Sequence, residues 1–121
     1  MSKKSSSANW KRRQAADPYV KRAQNEGWRA RAVFKLEELD KKYRLFQGNS
    51  VVVDLGAAPG GWSQYAAKTV LPKGRIIALD VLEMESLDGV EFIQGDFTED
   101  IALQQLLGAL GAGRADLVLS D

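Results

Sequence analysis

Two features of the sequence have residue types and spacings suited to chemistry. The first is DLGAAPGGWSQYA, Asp54 to Ala66, which follows the apolar run VVV. The second is a set of four carboxylates. Asp54, Asp80, Asp96 and Asp121 close, or closely follow, the apolar runs VVVD, RIIALD, EFIQGD and LVLSD. In open sheets flanked by helices, ligands bind outside the carboxyl ends of the strands. The turn after the first run, Gly56 to Gly61, reads G-A-A-P-G-G. A dinucleotide fingerprint would carry glycine where Ala58 stands, because that glycine lets backbone approach a pyrophosphate. No Gly-Lys-Ser/Thr follows, so a Walker-type phosphate loop is excluded.

The carboxylates narrow the ligand. Asp80 comes 20 residues after Gly60, where a carboxylate can accept hydrogen bonds from ribose hydroxyls. Asp96 is placed to accept from an adenine amino group. One acid after a strand is ordinary turn chemistry. Four at one rim repel each other unless something cationic lies among them. A nucleoside with a ribose, no pyrophosphate and a cationic centre fits this rim, and S-adenosylmethionine is such a ligand. Its amino-acid end would use the turn's backbone amides. Asp54 taken alone reads as a tie for the loop backbone. Trp62 reads equally as core or as a wall of the ligand site.

The composition removes other chemistries. There is no cysteine, hence no disulfide framework and no thiolate metal site, and no histidine. Acid–base work therefore falls to Lys, Asp, Glu or Tyr, and no metal is expected. The polar start MSKKSSSANWKRR has no apolar stretch behind it to read as a signal peptide. No apolar run approaches the ~18 residues of a membrane span. A soluble cytoplasmic protein is the expectation.

Alternation of helical and strand patterns supplies the scaffold. Residues 1–16 read as a flexible basic tail, and 17–121 as part of a single domain. Asp17-Pro18 starts a helix that Gly27 stops. RARAVFKLEELDKKYRLF predicts a second helix, with Ala32, Val33, Leu36, Leu39, Tyr43 and Phe46 as its apolar stripe and Lys35 at the stripe's edge. Gln47-Gly48-Asn49-Ser50 predicts a turn. Strands are predicted at 51–55, 75–80, 90–94 and 115–121, with helices at 62–70 and from Thr98, as cap, to about Leu110. Apolar strands alternating with helices predict an α/β fold, a Rossmann-like doubly wound parallel sheet. Four strands make about half of such a sheet, so the chain reads as truncated after the fourth, with a helical basic segment in front.

Charge is distributed unevenly. Residues 1–48 hold thirteen Lys or Arg against five Asp or Glu, whereas residues 49–121 hold four against eleven. Trp10, Tyr19, Trp28 and Phe34 are interleaved with the basic residues. That pattern points to nucleic acid along the N-terminal segment, with a solvated charged face as the plain alternative.

GWRARAVFKLEELD, VVVDLGAAPGGWSQYA, RIIALD, IQGDF and DLVLSD together resemble the FtsJ-type ribosomal RNA methyltransferases, in order and spacing, from about Trp10 onward. The resemblance implies S-adenosylmethionine-dependent 2′-O-methylation of a uridine ribose in large-subunit ribosomal RNA. It implies Gly60, Trp62, Asp80, Asp96 and Asp121 at the cofactor and Lys35 and Asp121 in the catalytic set. A second Lys, the implied base for the ribose hydroxyl, and a Glu have no match within these residues, so the chain by itself is expected to be catalytically crippled. Lys11, Arg12, Arg13, Lys21, Arg22, Arg29 and Arg31 become candidates for RNA phosphates, the RNA being presented within the large ribosomal subunit. A non-catalytic RNA- or cofactor-binding fragment and a nicotinamide-dependent oxidoreductase domain are the alternatives.

Overall fold

The computed structural model describes residues 17–121. The expectations for the tail, including Lys11, Arg12 and Arg13, lie outside the described residues. Helices α1 (Pro18–Glu26) and α2 (Val33–Tyr43) come first. Then follow β1 (Val51–Leu55), α3 (Gly61–Val70), β2 (Arg75–Asp80), β3 (Val90–Gln94), α4 (Asp100–Leu110) and β4 (Leu117–Ser120). The strands form one parallel sheet in the order β3-β2-β1-β4. The predicted Rossmann-like α/β sheet is therefore present. The chain steps outward from β1 through β2 to β3, then returns to the other side of β1. That reversal puts the switch point between β1 and β4, where such sheets bind ligands.

Strand periodicity decides what each side chain meets. Successive residues point to opposite faces. Val52, Ile76, Leu117 and Leu119 share one cluster with Trp62, Ala66 and Val70 of α3 and with Leu36 of α2. Asp54, two residues beyond Val52, must then point toward α3. Its Oδ2 accepts the Ser63 hydroxyl at 2.8 Å, and Asp54 is only 1% exposed. On the opposite face, Val53 and Ile77 are buried at the sheet's centre, while Val118 on the β4 edge is exposed.

The second helix is shorter than its sequence suggests. Arg29 N–H donates to the Gln64 side chain at 2.7 Å, which fixes Arg29 in a bend outside the helix before α2 begins. At the other end Arg44 takes the left-handed conformation and terminates the helix. Tyr43, the last helical residue, is 60% exposed instead of lying in the apolar stripe. Phe46 reaches the core from outside the helix, with its N–H on Asp40 Oδ1. Thr98 does not cap α4. Its N–H and hydroxyl both donate to Asp96 Oδ1, and Glu99 takes the cap position. An Asx turn starting at Asp96 competes for the same residues and wins.

Candidate functional site

The loop after β1 is tied down by its own backbone. The amides of Gly56 and Ala57 both donate to Leu79 O, at 2.8 and 3.1 Å. The Ala58 amide donates to Asp80 Oδ2 at 2.9 Å, and the Leu82 amide to Asp80 Oδ1 at 2.9 Å. Three of the loop's amides are therefore consumed internally, so they cannot cradle a pyrophosphate. The amides of Gly60, Gly61, Trp62 and Ser63, at the start of α3, have no protein acceptor among the described residues. A helix start leaves such donors unpaired and carries partial positive charge, so it suits a carboxylate.

Behind the loop lies a corner of about 30 Å³ lined by Ala30, Ala32, Asp54, the loop residues Gly56–Pro59, Gly61, Trp62 and Asp121. It seats a small group and not a whole nucleoside, so a larger ligand would extend along the open rim of strand ends. Asp54 and Asp121 both face this corner. Burial pushes the Asp54 carboxyl up to about 6, against the Ser63 hydrogen bond, and the charges of Asp121 and Asp80 push the same way. A cation among them would relieve the repulsion.

Trp62 is a core residue whose Nε1 donates to Ala32 O at 2.7 Å, and it also lines the corner. Asp80 has each oxygen engaged by one amide and keeps acceptor capacity on both. Asp96 has Oδ1 occupied by Thr98, and those hydrogen bonds hold its carboxyl below the usual range. Lys35 is exposed and lies in a neighbouring cleft with Arg31. The two cavities share only Ala32, and no bond joins Lys35 to Asp121 among the described residues.

Among the candidate phosphate contacts, Lys21 is exposed. Arg22 is paired with Glu26 and approaches Glu37, and Arg31 is paired with Asp17. Arg29 is already engaged by backbone groups. Its guanidinium donates to the carbonyls of Pro59, Glu85 and Ser86 at 3.0, 2.6 and 3.0 Å. It is a clamp joining the α1–α2 connection to the glycine loop and to the segment after β2. Gln64 completes the clamp, accepting from Arg29 N–H and donating to Gly27 O. Neither role was visible in sequence, because the bonded partners are backbone groups 30 to 57 positions away.

Gly60 is the tightest point of this arrangement. Its φ is +118°, and a Cβ there would meet Arg29 Nη1 at 3.0 Å and Met84 Sδ at 3.2 Å. Gly60→Ala should cost about 1–3 kcal/mol of backbone strain and displace the clamp. The expected result is a folded protein whose affinity for the ligand of this site falls at least tenfold. Calorimetric titration beside a thermal melt checks it, and unchanged affinity would refute the assignment.

A family model described as FtsJ-like methyltransferase matches residues 28–121, which contain the loop, Lys35 and all four rim carboxylates. The chain belongs to the FtsJ-like methyltransferase family. This FtsJ-like chain is 52% identical over 121 residues to the ribosomal RNA large subunit methyltransferase E of Pseudomonas fluorescens, covering 100% of the chain and 58% of that relative. It is 54% identical over 120 residues to the protein of the same name from Xanthomonas euvesicatoria, covering 99% of the chain and 57% of the relative. A solved ribosomal RNA methyltransferase from Plasmodium falciparum matches with a TM-score of 0.72 and 34% identity, over 78% of this chain and 56% of that one. The chain thus spans less than two thirds of the length of these relatives. No helix among the described residues is long and apolar enough to cross a membrane.

Proposed function

We propose that this chain is the donor-binding part of an S-adenosylmethionine-dependent enzyme that methylates a ribose 2′-hydroxyl in large-subunit ribosomal RNA, with uridine as the target. The observation that carries the reading is the switch-point corner. Free amides at the start of α3 stand beside Asp54 and Asp121 there, and Asp80 lies at the next strand end. The relatives' names support ribosomal RNA as the substrate.

The donor set fits this cofactor. The amides of Gly60 and Gly61 would take its carboxylate, and Asp54 and Asp121 would face its cationic end. Asp80 would accept from the ribose hydroxyls, and the free Oδ2 of Asp96 from the adenine amine. When bound, the cofactor supplies an electrophilic methyl group on a sulfonium. Trp62, buried against Ala32, keeps water from the back of the corner. Lys35 and Lys21 would hold RNA phosphates near it, and Lys35 would add positive charge beside the attacking hydroxyl.

Titration of the chain with S-adenosylmethionine, with a nicotinamide dinucleotide as control, tests the donor half. Selective binding of the methyl donor is expected, and selective binding of the dinucleotide would overturn the reading. For the RNA half, the double substitution Lys21→Glu and Lys35→Glu should weaken oligoribonucleotide binding. It should also flatten the dependence of log affinity on log salt by roughly 0.7 for each phosphate no longer neutralised. An unchanged slope would remove both lysines from the interface.

A further inference from the structure

A second cavity lies between α1 and α2, lined by Tyr19, Arg31, Ala32, Phe34, Lys35 and Glu38. Its volume is about 440 Å³, within the range of small-molecule sites. It adjoins the donor corner, since Ala32 lines both.

The lining has an unusual balance. Tyr19 is 50% exposed although it is a large aromatic residue. Its ring lies 6.1 Å from that of Phe34, tilted by 45°, and the Arg31 guanidinium sits 5.1 Å from its centroid. Arg22 covers Phe34 at 4.0 Å. The arginines are already balanced by acids, Arg31 by Asp17 and Arg22 by Glu26. Glu38 adds an acceptor-only group to the wall. A bare phosphate would gain little here beyond Lys35. A flat, polarisable ring with donors on its edge gains more, from the Tyr19 face, the neighbouring guanidinium and the Glu38 carboxylate.

We propose that the α1–α2 cleft seats one nucleobase of the RNA strand, stacked against Tyr19, beside the nucleotide presented at Lys35. The proposal rests on the RNA reading above and adds a base-contacting site to it. Single-stranded RNA is commonly held by bases stacked on aromatic side chains. Charged contacts on the same strand fade with salt, whereas a stacked base does not release counterions and contributes at every salt concentration.

The test uses Tyr19→Ala and Tyr19→Phe, with a fluorescein-labelled short oligoadenylate and a linear polyphosphate as probes, at low and high salt. Tyr19→Ala should weaken oligoadenylate binding about tenfold at both salts, without changing the salt slope. Tyr19→Phe should bind as the unsubstituted chain does, and polyphosphate affinity should be the same for all three. Unchanged oligoadenylate affinity in Tyr19→Ala would overturn the stacking site while leaving the RNA reading intact. An equal loss on polyphosphate would also overturn it, by showing that the substitution disturbs the charged surface. Failure of the unsubstituted chain to bind oligoadenylate would overturn the RNA reading itself and the cleft with it.

Discussion

Gly74→Ala is expected to abolish cooperative folding, or to lower Tm by roughly 20 °C. A Cβ at Gly74 would overlap Ser50 O and lie 2.9 Å from both Val70 Cβ and Val70 O. Two of these atoms are backbone, so no rotamer change relieves the overlap. Both are also committed: Gly74 N–H donates to Val70 O at 2.6 Å, and Arg75 N–H donates to Ser50 O at 3.0 Å. Relief requires parting the end of α3 from the starts of β1 and β2, at a cost of about 5 kcal/mol, comparable to the whole stability of a small domain. The consequence reaches the site. The pairing that begins with Val51 beside Arg75 ends with Leu55 beside Leu79, and this delivers Asp80 to the Ala58 amide. Gly108→Ala is the matched control. It lies inside α4 with nothing within 4 Å of an added Cβ, so alanine there should raise stability by about 0.5–1 kcal/mol. Thermal melts of both variants check the pair, and a Gly74→Ala variant melting near the parent would refute the close-approach account.

The elements that sequence revealed are those governed by local patterns. β1, β2 and β3 match their predicted spans: the apolar runs of β1 and β2 can pack only inside a covered sheet, and β3, an edge strand with Glu91 and Gln94 exposed, is delimited by Gly89 and Gly95. The glycine loop and the rim acids follow from those spans, since a strand's end fixes where the next residues emerge. Long-range bonds decided what sequence did not show. Arg29 looked like one more cation in a basic segment, yet three backbone carbonyls hold it. Asp80 looked like a free ribose acceptor, yet two amides share it. The start of α2 shifted because Gln64, 35 positions away, fixes Arg29 outside the helix. Spacing along the chain gives faces and ends of elements. It does not say which polar group elsewhere will occupy a donor.

Asp54→Asn should separate the stability of this fold from its affinity for a cationic ligand. In the folded chain the Asp54 carboxyl titrates near 6, against 3.8 for an unperturbed group, chiefly because it is buried. The sign follows directly. Between these values the folded state holds a proton that the unfolded state has lost, so stability falls as pH rises. The full penalty, about 3 kcal/mol, is present above pH 6 and absent below the unfolded value. Asparagine keeps an acceptor for the Ser63 hydroxyl and carries no charge, so this component disappears. The stability of the parent relative to Asp54→Asn, from denaturant melts, should therefore decline by up to that amount from about pH 4 to pH 7. Cation binding runs the other way. An ionised Asp54 beside Asp121 would attract the proposed sulfonium donor, so parent affinity should decrease as pH falls through 6, while the variant should bind weakly with little pH dependence. At neutral pH the variant would then be the more stable protein and the poorer binder. A carboxylate held at such a cost is repaid only when a cation arrives. Parallel affinity–pH curves for parent and variant would show that Asp54 instead serves the fold alone, by joining β1 to α3 through Ser63.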